Sequence, residues 1–186
     1  LWSRGLGDVY KRQVYGNLAA LCGTQGRVDE LIDLLNKALE LNPDCPETHY
    51  NLGCALEGNG DLSAAIASYS KALELQPHFP EAYNNLGSLL KAQGDLDAAI
   101  ASYGKAIEFN PNYLEAHNNL GNALQGHGYL SAAIASYRKA LGLNPGCPVV
   151  HNNLGSALQE HGDLSAAIAS YNKACLLYTS DAADDT

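Results

Sequence analysis

The chain has 186 residues, with 11 Lys and Arg against 20 Asp and Glu and a formal net charge of −9. That balance excludes nucleic acid as a partner, since phosphate recognition needs clustered cations, and it disfavours an anionic membrane surface. No apolar run approaches the roughly 20 residues that span a bilayer. Five scattered cysteines (Cys22, Cys45, Cys54, Cys147 and Cys175) without a CxxC pair fit a reducing, cytoplasmic compartment.

Taken in chain order, residues 1–13 (LWSRGLGDVYKRQ) match nothing further on. Beyond them an interval of 34 residues governs the sequence. It links Pro43, Pro77, Pro111 and Pro145, and likewise Leu18, Leu52, Leu86, Leu120 and Leu154. Gly26, Gly60, Gly94, Gly128 and Gly162 keep the same register, as do Ala38, Ala72, Ala106, Ala140 and Ala174. Each unit predicts two helices. Helix A is a stretch such as EAYNNLGSLLKAQ, closed by a glycine (Gly94) suited to a left-handed C-terminal cap. Helix B follows, as in GDLDAAIASYGKAIEF, with Asp95 as its N-cap and Pro111 beyond its end. Ile100, Tyr103 and Ala106 recur at helical spacing and are expected to face helix A. Gly53, Gly87, Gly121 and Gly155 fall on the opposing face, where a missing side chain admits the partner helix. That contact can outweigh the roughly 1 kcal/mol that a mid-helix glycine costs.

These features resemble the tetratricopeptide repeat: Leu-Gly in helix A, a small residue, an aromatic and then Ala in helix B, and a closing Pro. The resemblance implies an all-α fold, a right-handed α-solenoid or superhelix of five tandem helix-turn-helix units. The array spans 14–174, with repeats at 12–45, 46–79, 80–113, 114–147 and 148–174, the last truncated. The first repeat departs from the pattern. Ala19 stands where Gly is usual, and Leu31 and Leu35 stand where Ala and Tyr recur, so looser or differently packed helices are expected there.

The two ends are expected to be foreign to the array. The period calls for proline at 9 and 179, where Val9 and Thr179 stand. DVYKRQ can be encoded by GATGTGTATAAGAGACAG, whose reverse complement, one base out of phase and extended by one T, encodes CLLYTS. Both resemble translated sequencing-library adaptor, so residues 1–13 and 175–186 are set aside and the parent protein is expected to continue in both directions. Without a polar capping unit, helix B of the fifth repeat is expected to expose an apolar face and to fray or self-associate.

No active site, cofactor or metal centre is expected. His49, His117 and His151 share repeat position 4, a packing position that Tyr15 and Tyr83 fill elsewhere. Equivalent positions in stacked repeats lie about 10 Å apart, too far for two imidazoles to share an ion. His127 and His161, beside the A–B turn, are expected to be solvated. Ser68, Ser102, Ser136 and Ser170 precede the packed Tyr on helix B, with no acid–base partner in the repeat.

What remains is a column of asparagines. Position 6 is Asn17, Asn51, Asn85, Asn119 and Asn153, and position 5 is Asn84, Asn118 and Asn152 in three repeats. The resemblance implies that helices A line a concave groove, with positions 2, 5, 6, 9, 12 and 13 facing it. Asn122 and Lys91 then join the groove at positions 9 and 12. A ladder of amides offers donors and acceptors to the backbone of an extended peptide; simple hydrogen bonding between neighbouring repeats is the other use open to it. Similar asparagine ladders occur in the repeats of protein O-linked N-acetylglucosamine transferases, where they hold the substrate backbone. Two roles follow: a module or scaffold that binds other proteins through extended segments, or the substrate-selecting arm of such a glycosyltransferase whose catalytic domain lies outside this stretch. The groove acids Glu47, Glu57, Glu81 and Glu115 favour neutral or mildly basic ligands over carboxylate-tipped ones.

Overall fold

The computed structural model describes residues 27–184, with side chains through Thr179. The tail at 1–13, Ala19 and the candidate Asn17 lie outside the described residues. All described secondary structure is helical. The chain divides into two compact units, Leu1–Ala82 and Tyr83–Thr186, each taken here by itself.

The first unit contains α1 (Val28–Leu41), α2 (Pro46–Gly58) and α3 (Leu62–Leu75). The α4 helix (Pro80–Ala92) opens in the last residues of that unit and runs through the second. The second unit continues with α5 (Leu96–Phe109), α6 (Leu114–Gly126), α7 (Leu130–Leu143), α8 (Pro148–His161) and α9 (Leu164–Asp184). Even-numbered helices are the expected helices A and odd-numbered ones the helices B.

The described A–B turns close on glycines of positive φ, at Gly60, Gly94, Gly128 and Gly162. Gly94 takes φ +87°, and its successor Asp95 donates its backbone N–H to the Leu90 carbonyl at 3.0 Å, tying off the end of α4. The Asp95 carboxylate then accepts from the Ala98 N–H at 3.1 Å, capping α5. Asp61 and Asp163 cap α3 and α9 in the same manner. The hydrogen bond from the Ala166 backbone, helped by Ser165, holds the Asp163 carboxyl below its ordinary value. Tyr129 stands at this position before α7 and makes no side-chain cap.

Within each pair the glycine of helix A meets the tyrosine of helix B. A Cβ on Gly121 would sit 2.5 Å from the Tyr137 ring, and on Gly53, Gly87 and Gly155 it would be 2.6, 2.9 and 2.7 Å from Tyr69, Tyr103 and Tyr171. Tyr69, Tyr103 and Tyr137 are completely buried. Burying a ring of this size against a neighbouring helix stabilises by about 1.5–3 kcal/mol, more than the glycine penalty. Three of the serines before these rings bond back to their own helix: Ser102 Oγ donates to the Ala98 carbonyl at 2.8 Å, Ser136 Oγ to Ala132 at 3.0 Å and Ser170 Oγ to Ala166 at 2.9 Å.

Of the first repeat only helix B lies among the described residues. Leu35 replaces the ring and is buried with Leu52 and Ala55 of α2, flanked by Leu31, Ile32, Leu39 and Leu56. At the other end α9 is the longest helix described, 21 residues from Leu164 through Ala174 to Asp184. Thr179 fills the proline column there, so nothing in the backbone chemistry stops the helix.

Candidate functional site

The candidate face is built from residues that the 34-residue period places on helices A. In the second unit the asparagines of adjoining repeats bond to each other. Asn119 Nδ2 donates to Asn84 Oδ1 at 3.0 Å, and Asn153 Nδ2 donates to Asn118 Oδ1 at 3.0 Å. Position 6 of one repeat thus donates to position 5 of the repeat before it. Asn84 is only 7% exposed and passes the chain on, its Nδ2 reaching Asn85 Oδ1 at 3.4 Å. A primary amide has two N–H donors and a carbonyl with two lone pairs. One bond between repeats therefore orients the Asn119 and Asn153 amides, and a primary amide has a second N–H and an oxygen besides the donor so used. Asn152, at position 5 of the last repeat, is exposed. In the first unit Asn51 is also exposed, and its neighbour at position 5 is Tyr50, packed on Tyr69 and Phe79.

Beneath the amides runs a second polar column that the sequence reading did not single out. Tyr137 donates its hydroxyl to Asn122 Oδ1 at 2.7 Å and lies 3.0 Å from Gln125 Oε1. Tyr171 bonds Gln159 at 3.1 Å, Tyr103 and Ser88 lie 3.1 Å apart, and Tyr69 bonds Glu57 at 2.7 Å. Gln125 carries the network on to Ser156 at 3.0 Å and to Glu160. Asn122 and Glu57 thus support buried phenols. Burial pushes the Tyr69, Tyr103 and Tyr137 hydroxyls above the ordinary phenol value, with Glu160 adding to the rise at Tyr137. They stay protonated donors. The signal for this column was present: a buried Tyr needs a hydroxyl partner, and polar residues recur at positions 9 and 12. Lys91 is half-buried at the last turn of α4.

The histidines are structural, by a bond rather than by packing alone. Nε2 of His49, His117 and His151 lies 2.8, 2.9 and 2.9 Å from the carbonyl of Pro43, Pro111 and Pro145, so each ring donates back to the preceding connection. His127 corrects the expectation of a solvated side chain, being half-buried, while His161 is exposed as expected. His127 Nε2 is 3.0 Å from Asp97 Oδ1 of the preceding repeat and its ring stacks on Tyr129 at 4.5 Å. His161 makes the equivalent reach to Ser131 at 3.3 Å. Among the described residues no three His, Cys, Asp or Glu side chains are placed to hold a metal ion. No described helix is long and apolar enough to cross a membrane.

Family profiles described as TPR repeat match residues 24–60, 59–94 and 87–128, and one described as Tetratricopeptide repeat matches 118–185. The chain belongs to the tetratricopeptide repeat family. No curated protein sequence matches it significantly. Among solved structures, MamA is 29% identical over 88% of this chain and 96% of its own, with a TM-score of 0.83. MamA from Desulfovibrio magneticus RS-1 is 26% identical over 91% of this chain and 96% of its own, with a TM-score of 0.85. YrrB, described as a TPR protein with an unusual peptide-binding site, shares the fold at 23% identity, covering 88% of this chain and 84% of its own, with a TM-score of 0.75. The fold is thus an all-α solenoid of tandem helical hairpins, and the chain is a protein-interaction module.

Proposed function

We propose that the module holds an extended segment of another protein against helices A, with the position 6 amides bonding the segment's backbone. The observation that supports this reading is the repeated 3.0 Å bond from Asn119 to Asn84 and from Asn153 to Asn118. It gives successive amides the same orientation before any ligand arrives, which lowers the cost of ordering them on binding. The second N–H and the oxygen of Asn119 and Asn153 match the backbone N–H and C=O of an extended chain. Each such contact nets about 0.5–1.5 kcal/mol, so affinity grows with the number of repeats engaged and tolerates varied side chains. Glu81 and Glu115, both exposed on helices A, favour segments that are neutral or mildly basic.

A peptide array on the full chain would identify segments for titration. Replacing Asn85 and Asn119 together by Ala is expected to weaken binding by about 1–3 kcal/mol. Asn119→Ala also strips Asn84 of its donor, so that variant is expected to melt earlier. Asn152→Ala, at an exposed amide, is expected to weaken binding with an unchanged melting temperature. Wild-type affinity in both variants would remove the amides from the binding face.

A further inference from the structure

We propose that the fourth repeat carries a second binding site, a cleft on α7 and the α5–α6 connection that takes the carboxylates of an acidic protein segment. The inference rests on what this repeat lacks. In the second and third repeats the lysine of helix B is neutralised by a glutamate one turn on: Lys71 Nζ lies 2.9 Å from Glu74, and Lys105 Nζ 2.8 Å from Glu108. Lys105 also lies over the Phe109 ring, 5.8 Å from its centroid. In the fourth repeat the lysine is Lys139, but Gly142 occupies the glutamate position and Leu143 that of the ring. Arg138 stands beside it, where Ser70 and Gly104 stand in the earlier repeats.

The exchange of Glu for Gly does more than free a charge. Gly142 also lines a cleft of about 760 Å³ whose walls include Arg138, Lys139, Asn112, His117 and Pro111. Both cations are exposed, and His117 is held to the wall by its bond to the Pro111 carbonyl at 2.9 Å. The acid that feels Arg138 from a neighbouring element is Asp163, at the start of α9. Arg138 supplies a planar fork suited to a carboxylate, and Lys139 a mobile point charge next to it. A cleft of this volume is far larger than one small oxyanion and suits successive side chains of a segment. Because the chain carries a net charge of −9, an acidic ligand is repelled at long range and must be held by local pairing. This cleft is walled by α7, the α5–α6 connection and His117 of α6, and no position 5 or 6 asparagine lines it, so it is tested separately from the asparagine face.

The test is fluorescence anisotropy of labelled hexaglutamate titrated with the full chain at low salt. Wild-type protein is expected to bind, and Gly142→Glu to bind about tenfold more weakly by restoring the pair made in the second and third repeats. A Cβ at Gly142 meets nothing within 4 Å, so this variant keeps the fold. Arg138→Ser is expected to lose a similar factor, and Lys71→Ala to match wild type. The proposal is overturned if Gly142→Glu binds as well as wild type, or if Lys71→Ala weakens binding as much. Displacement of the peptide by inorganic phosphate at an equal concentration of charge would overturn the assignment to an acidic segment.

Discussion

Gly121 shows how one absent side chain sets the packing of a repeat. Its missing Cβ leaves room for the Tyr137 ring, which would otherwise sit 2.5 Å away. Gly121→Ala is therefore expected to destabilise by about 1–3 kcal/mol through overpacking, although alanine is the better helix former. Gly104, on the exposed side of α5, would meet nothing within 4 Å, and Gly104→Ala is expected to stabilise by about 0.5–1 kcal/mol. Urea midpoints of the two variants should move in opposite directions; a shift of the same sign would show that propensity, not ring contact, governs the column. The glycines and tyrosines were legible because each recurs at one phase of the period. The partners of His127 were not, since Asp97 lies 30 positions earlier and no local pattern joins them.

At the level of the helix pair, the buried phenols tie stability to alkaline pH. Tyr69, Tyr103 and Tyr137 have hydroxyl pKa values raised by burial in the folded state. As pH climbs past about 10, the unfolded chain gives up these protons before the folded one does. Their contribution is thus complete below pH 10 and is lost as pH rises toward the folded values. Ultraviolet titration of tyrosinate is expected to show Tyr69, Tyr103 and Tyr137 ionising only as helicity is lost. A single ionisation near pH 10 with helicity intact would contradict the packing account. Helix existence and caps could be read from Gly94, Asp95 and Pro111 because those signals are local. The tyrosine–Gln and tyrosine–Asn network could not, because it depends on which of positions 9 and 12 the hydroxyl reaches.

At the scale of the whole chain, repetition leaves one helix unlike its counterparts. In α7 Ile134 is 6% exposed beneath α8, whereas Leu164 and Ile168 of α9 are each 61% exposed. The period made the array visible in the sequence, and it also placed the asparagines on one face of the helices. It did not disclose that Asn119 and Asn153 spend a donor on Asn84 and Asn118, since that pairing depends on how one repeat is set against the next. The central claim is that what remains of those amides grips a peptide backbone. It is tested most directly by nuclear magnetic resonance of the asparagine side-chain NH₂ groups during titration with an array-selected peptide. The account predicts shifts at Asn85, Asn119 and Asn153 with the odd-numbered helices undisturbed; a bound peptide whose shifts fall on α5 and α7 would contradict it.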